Sequence, residues 1–273
     1  MDHVGPFIFN GIRFALGAMV ILPFIFLSKP TANPKPHPTI HASSRYLVLG
    51  GIILGLAVFA GATFQQVGLV YTTAGNAGFI TGLYVIFVPI LGMFRKQFPH
   101  FSTWVAALLA AAGMYFLSMT GNLSIVYGDL LVLVGALFWA LHVIVISVLS
   151  PKVNALKLAL VQYLVCSVLS MIVALTFESN TMEGIISATI PIIYGGVFSV
   201  GIAYTLQVIA QKKTPPAHAA IILSLEAVFA AISGWLILSE ELGNKQVLGC
   251  GLMLLGILVA QYRTIGRGMR TKR

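Results

Sequence analysis

The chain has 273 residues, of which 58% are hydrophobic and 8% charged, with a net charge of +9 at neutral pH. Soluble domains usually carry about 25% charged residues, so a fold this apolar lacks a polar skin and needs lipid as its outer solvent. The basic residues stand in short clusters between apolar runs, with no stripe of interleaved aromatics, which argues against nucleic acid as a partner.

A membrane span needs roughly 20 apolar residues. In chain order, runs of that kind lie at 5–28, 46–70, 74–94, 101–119, 126–149, 154–177, 189–211, 216–238 and 243–262, and predict nine transmembrane helices. Most connections are short, as at 71–73 and 212–215, which implies tight helix–helix turns broken by Pro or Gly. One longer loop, 29–45, is rich in Pro and Thr. Cys166 and Cys250 both fall inside apolar runs and make neither a disulfide framework nor a CxxC metal spacing. The N-terminal run has no Lys or Arg ahead of it and is interrupted by Arg13, unlike a signal peptide. The reading is an all-α, polytopic membrane protein.

The charges then orient it. Alternate loops carry Lys29, Lys35 and Arg45; Arg95 and Lys96; Lys152 and Lys157; Lys212 and Lys213; and the tail adds Arg263, Arg267, Arg270, Lys272 and Arg273. With nine spans all of these fall on one side, while the other side has Lys245 with Asp2, Glu178, Glu183, Glu240 and Glu241. Cytoplasmic loops carry the excess of Lys and Arg. The expected topology is a multi-pass protein of the cell (inner) membrane, C-terminus cytoplasmic and N-terminus outside.

The chain also repeats itself. Residues 54–117 can be laid over 197–260: Gln65 meets Gln207, Gly92 meets Gly234, and one loop residue later Gly113 meets Gly256. The first predicted helix lies over the sixth, with Arg13-Phe14 meeting Gln162-Tyr163. The fifth helix has no mate upstream, so the repeats, 1–121 and 122–273, hold four and five helices. A five-helix unit is odd, so two in series cross the membrane in opposite senses. Inverted repeats of this kind are typical of secondary transporters and also occur in channels.

Three stretches resemble a known family. They are 71–94 (YTTAGNAGFITGLYVIFVPILGMF), 224–242 (SLEAVFAAISGWLILSEEL) and 127–147 (YGDLLVLVGALFWALHVIVIS). The chain resembles the EamA-type branch of the drug/metabolite transporter superfamily over nearly its whole length. The resemblance implies a ten-helix fold of two five-helix repeats and export of small metabolites. It also implies that this chain lacks the first helix of the first repeat, through a misplaced start, a fragment or a true variant.

An ionisable group at mid-bilayer costs roughly 2.5–3.5 kcal/mol even on the gentler scales, so intramembrane polar residues are the candidate sites. Glu226 falls near the middle of the eighth helix and reads as a proton-coupling or substrate-amine site, or as a structural carboxylate. Arg13, near the middle of the first, could pair with Glu226, bind a substrate carboxylate or snorkel outward. His142 lies one turn after Trp139 on the fifth helix and reads as a ligand or proton carrier, or as packing. Gln65, Gln207 and Asn76 either join helices or contact substrate. Tyr84, Tyr204 and Trp139 are aromatics for packing or for lining the site. His37 and His41 flank Pro38 in a loop, which disfavours a helical metal pair; neither HExxH nor a P-loop occurs. No cofactor is expected.

The leading functional reading is a secondary transporter, most simply an exporter, of a small metabolite. The alternatives are an intramembrane enzyme on a lipid-linked substrate and a non-transporting scaffold. The scarcity of clustered acids, histidines or metal ligands disfavours the enzyme.

Overall fold

The computed structural model describes residues 4–27, 40–118, 126–179, 181–238 and 243–270; within these, side chains are described except at 40–43, 234, 237–238 and 262–270. Loop residues Lys29, Lys35 and His37, and Glu240 and Glu241, lie outside the described residues, as do Asp2, Lys272 and Arg273. With no water in the bilayer core, a spanning backbone must close its own hydrogen bonds, and the described residues do so as helices. They are α1 (Pro6–Leu27), α2 (Ile40–Gly68), α3 (Ala74–Phe94), α4 (Phe101–Ser118), α5 (Tyr127–Leu149), α6 (Ala155–Phe177), α7 (Thr189–Ala210), α8 (216–238) and α9 (Asn244–Arg270). Nine helices among the described residues are long and apolar enough to span. The expected bounds hold within a few residues, with three differences: α2 begins at Ile40, α9 continues to Arg270, and a short helix, Met182–Ser187, precedes α7. In the turn after α3, Lys96 takes the left-handed conformation at φ 58°, and Pro99 follows before α4 begins.

The helices group into two compact units, residues 1–66 with 145–213 and residues 67–144 with 214–273. Each unit takes its helices in repeat-related pairs. The first holds α1 with α6 and α2 with α7; the second holds α3 with α8, α4 with α9, and most of α5. Compactness therefore cuts across the two sequence repeats.

In the first unit α1 packs on α6 and α7. The Ser167 hydroxyl donates to Gly11 O across 2.8 Å. At Gly196 of α7 a Cβ would stand 2.7 Å from Leu16 Cβ, and at Gly55 of α2 one would stand 2.5 Å from Val165 Cβ. The register that lays Arg13 over Gln162 also lays Leu16 over Val165, and Gly55 falls within one residue of Gly196. The α1–α7 and α6–α2 contacts are thus one contact made twice. The start of α1 is closed by Glu178, whose carboxylate accepts the Phe7 and Ile8 N–H groups at 2.9 Å each. An anion at this end satisfies two otherwise orphaned donors and meets the positive end of the helix dipole. Gly5 leaves room for that carboxylate.

The second unit is organised around α4 and α9. A Cβ on Gly113 would stand 2.6 Å from Gly249 O and 3.0 Å from Met253 N; one on Gly256 would stand 2.9 Å from Ala106 O and 3.4 Å from Ala110 N. The repeat maps Gly113 to Gly256, Ala106 to Gly249 and Ala110 to Met253, so these two sets of contacts exchange. This is the inverted repeat expressed in packing: two antiparallel helices cross about a local two-fold. At the other side of the unit, Asp129 accepts the Val126 N–H at 3.0 Å and the Thr72 hydroxyl, capping α5 and pinning the turn that follows α2. Tyr71 and Tyr127 meet edge-on above it at 5.6 Å.

Substituting Gly113→Val or Gly256→Val is expected to cost about 1–3 kcal/mol each, because backbone stands where the side chain would go. Gly78 has nothing within 4 Å of a Cβ, so Gly78→Ala is expected to be neutral or slightly stabilising. Thermal unfolding of the purified chain in detergent checks the contrast; tolerance at both Gly113 and Gly256, or a large loss at Gly78, contradicts it.

Candidate functional site

The polar candidates fall into two groups, one in each unit. In the second, α3 and α8 are both interrupted. The first half of α3 (Ala74–Gly82) ends at Leu83 and the second begins at Tyr84; the first half of α8 (Pro216–Leu223) ends at Ser224 and the second begins at Glu226. The two interruptions share one hydrogen-bond pattern. Leu83 N–H donates to Ile80 O at 3.2 Å, and Leu225 N–H donates to Ile222 O at 3.1 Å, each a tightened three-residue step. The register that lays Gly92 over Gly234 lays Leu83 over Leu225 and Tyr84 over Glu226. The breaks are equivalent, and each opens a new helix N-terminus in mid-span with a polar side chain at its first residue. Ser224 adds a hydroxyl bond to Ile221 O at 2.7 Å, which takes up a carbonyl that the break would otherwise leave open.

Tyr84 is buried, whereas the Glu226 side chain is exposed. Asn76 sits in the first turn of α3, its N–H accepted by the Thr73 hydroxyl at 3.2 Å, so it belongs to the helix end rather than to mid-span. His142 and Trp139 are enclosed in the packing of α5, their rings edge-on at 5.8 Å.

In the first unit the sites centre on α1, α6 and α7. The helix of α7 widens to a π-helix from Tyr194 to Tyr204, with Gly195, Gly196 and Gly201 buried along it. π-Turns are rare and cluster at functional positions. Phe14, the repeat mate of Tyr163, packs against it at 6.1 Å and against Tyr204 at 6.3 Å. The Tyr163 hydroxyl and Thr205 Oγ1 lie 3.1 Å apart, hydrogen-bonded where the π-helix ends. Gln65 and Gln207 are half-buried at matching places on α2 and α7. Arg13 is 8% exposed and so does not snorkel to the surface; its guanidinium lies over the Phe9 and Phe14 rings at 5.1 and 5.2 Å. Glu226 lies in the second unit.

A cavity of about 470 Å³ opens beside α1 and α7, lined by Val20, Phe24, Leu206 and Ile209 among others. Thr205 is the polar residue in its wall, so it suits a hydrocarbon group rather than a charged one. Asn10, Thr205 and Ser224 are common residues in apolar runs that only the packing reveals, and Tyr163 shows in the sequence only as the repeat mate of Phe14.

A carboxylate facing hydrocarbon would be costly, so the exposed side of Glu226 is expected to meet water. In a background with Cys166 and Cys250 replaced by Ala, Glu226→Cys should react with a water-soluble methanethiosulfonate reagent while Ile221→Cys, at a fully buried position, should not. An unreactive Glu226→Cys in folded protein places the residue against lipid and removes it from the site.

Comparison with known proteins gives the family. The EamA-like transporter family matches residues 1–119 and 126–262. An uncharacterized transporter of Archaeoglobus fulgidus is 34% identical over 265 residues, covering 96% of this chain and 79% of that protein. The uncharacterized transporter YetK of Bacillus subtilis is 23% identical, covering 95% of this chain and 79% of its own. A solved crystal structure superposes with a TM-score of 0.77 at 19% identity, over 95% of this chain and 88% of that one, and shares the fold. The chain belongs to the EamA-like transporter family, within the drug/metabolite transporter superfamily, and is a multi-pass membrane protein.

Proposed function

We propose that the chain is a secondary transporter that exports small metabolites by alternating access between its two inverted repeats. The observation that carries this reading is the matched pair of breaks at Leu83 and Leu225. An interrupted span leaves backbone N–H and C=O groups at membrane depth, which is tolerable where they line protein or a polar cavity. Placing the interruption at one register in both repeats gives each repeat a polar site of the same geometry, as a device that opens to either side in turn requires. In this reading Tyr84 and Glu226 are repeat-related substrate contacts of the second unit, with Asn76, Trp139 and His142 in the same unit, and Gln65, Tyr204 and Gln207 are the proposed contacts within the first unit. The Glu226 carboxylate, the carboxylic member of the pair, carries the coupling proton. The reaction is transfer across the bilayer without chemistry on the substrate, so the protein acts without a cofactor and not as an enzyme. The basic tail lies in the cytoplasm, where its cations meet anionic lipid of the cell membrane.

Glu226→Gln tests the proton role, because it keeps shape and hydrogen bonding while removing titration. In proteoliposomes, substrate exchange should remain within a few-fold of wild type while uptake driven by a pH gradient is lost. Loss of both together with lower thermal stability would make Glu226 a structural carboxylate. Unchanged pH-driven uptake would exclude it from coupling, and absence of flux for every member of a broad radiolabelled metabolite panel would contradict transport itself.

A further inference from the structure

Arg13 lies eight residues into α1, about 10 Å from its start at 1.5 Å per residue. A guanidinium stays charged at any physiological pH. Arg13 is 8% exposed, and its Nε has no hydrogen-bond partner. Beside it are the Phe9 and Phe14 rings, at 5.1 and 5.2 Å, and the neutral side chains Tyr204 and Cys166; among the described residues no carboxylate acts on it. Ring faces attract a cation but offer no acceptor for an N–H. Three residues earlier, and so on the same face of the helix, Asn10 is fully buried with neither Oδ1 nor Nδ2 partnered. Two neighbouring side chains in one unit thus hold polar groups out of water without satisfying them. Buried polar groups are almost always paired, and a buried charge without a counter-charge is strongly unfavourable. The repeat mate of Arg13 is Gln162, an uncharged residue at the equivalent place on α6. The glycines of α7 bring the π-helix against this stretch of α1. A Cβ on Gly195 would stand 3.5 Å from Arg13 Cδ, and one on Gly196 3.1 Å from Arg13 O.

We infer that Arg13 and Asn10 form a binding site for the carboxylate of a small organic acid. The Nε edge of a guanidinium presents parallel N–H groups that match the two oxygens of a carboxylate. One guanidinium balances one negative charge, which favours a carboxylate over a doubly charged phosphate. Asn10 supplies one further donor for the carboxylate and, through Oδ1, an acceptor for a hydroxyl or amine on the adjacent carbon. The ligand class is a small hydroxy or amino acid, with its apolar portion against Phe9 and Phe14. The site names the substrate class for the transport reading and depends on that reading for its role, but its existence is read by binding alone.

The test is thermal unfolding of the full chain in detergent with lactate, L-serine, L-glutamate or phosphate, against chloride at matched ionic strength. At least one carboxylate should raise the wild-type midpoint, while phosphate should not. Arg13→Met removes an unbalanced charge, so the unliganded variant should unfold at the same or a higher temperature, with no response to the carboxylate. Arg13→Lys keeps the charge without the fork, and Asn10→Ala removes the second partner; each should weaken the apparent affinity at least tenfold. Four outcomes overturn the site: no carboxylate shifts the wild type; phosphate shifts it and no carboxylate does; Arg13→Met keeps the response; or Arg13→Met and Arg13→Lys both unfold at lower temperature without ligand, which makes the guanidinium a structural group. A carboxylate response without flux in vesicles would keep the site and sink the transport reading; flux without that response would do the reverse.

Discussion

Everything in this fold follows from the lack of water inside the bilayer. A backbone that crosses hydrocarbon must satisfy its own N–H and C=O groups, so it crosses as helices. Once formed, those helices gain little from burying apolar side chains against one another, because lipid is equally apolar; close backbone approach and interhelical hydrogen bonds take over. The contacts that organise each unit have that character. Gly113 and Gly256 admit backbone atoms of the opposing helix, Gly55 and Gly196 admit Val165 and Leu16, and Ser167 reaches the Gly11 carbonyl. The glycine contacts occur in exchangeable pairs because the chain uses one arrangement twice in opposite senses.

Against that background the departures from regular helix stand out. Two spans tighten at one register, at Leu83 and Leu225, and a third widens into a π-helix from Tyr194 to Tyr204. Interrupting a span costs backbone hydrogen bonds, and the cost is offset only where polar groups or a cavity take up the loose ends. The two tightened turns put Tyr84 and Glu226 at new helix starts; the widened turn ends where Tyr163 and Thr205 share a hydrogen bond. The proposed function sits at these irregular segments, and the glycine contacts pack the helices that carry them.

The spans were legible because length and apolarity are what a bilayer demands, and the repeat was legible because Gln65, Gly92 and Gly113 recur as Gln207, Gly234 and Gly256. The interruptions were not. Leu83 and Leu225 are apolar residues in apolar runs, and a one-step change from four-residue to three-residue hydrogen bonding leaves no trace in hydropathy. The π-helix was hidden in the same way. Glu178 read as an ordinary loop acid, and its role as the cap of α1 arises from a residue pairing 170 positions apart. Asn76 falls near the start of the run at 74–94, and the Thr73 cap fixes it in the first turn of α3. For Arg13 the sequence allowed three fates, and burial over two aromatic rings excludes snorkelling.

Opposed orientation of the two repeats is the premise on which alternating access rests. The register that pairs Gln65 with Gln207 also pairs Tyr71 with Lys213, and both are exposed in short turns. Single cysteines at these positions, with Cys166 and Cys250 replaced by Ala, can be labelled in intact cells with a membrane-impermeant maleimide. The account predicts that Tyr71→Cys labels from outside and that Lys213→Cys labels only after the membrane is opened. Labelling of both from the same side would contradict it.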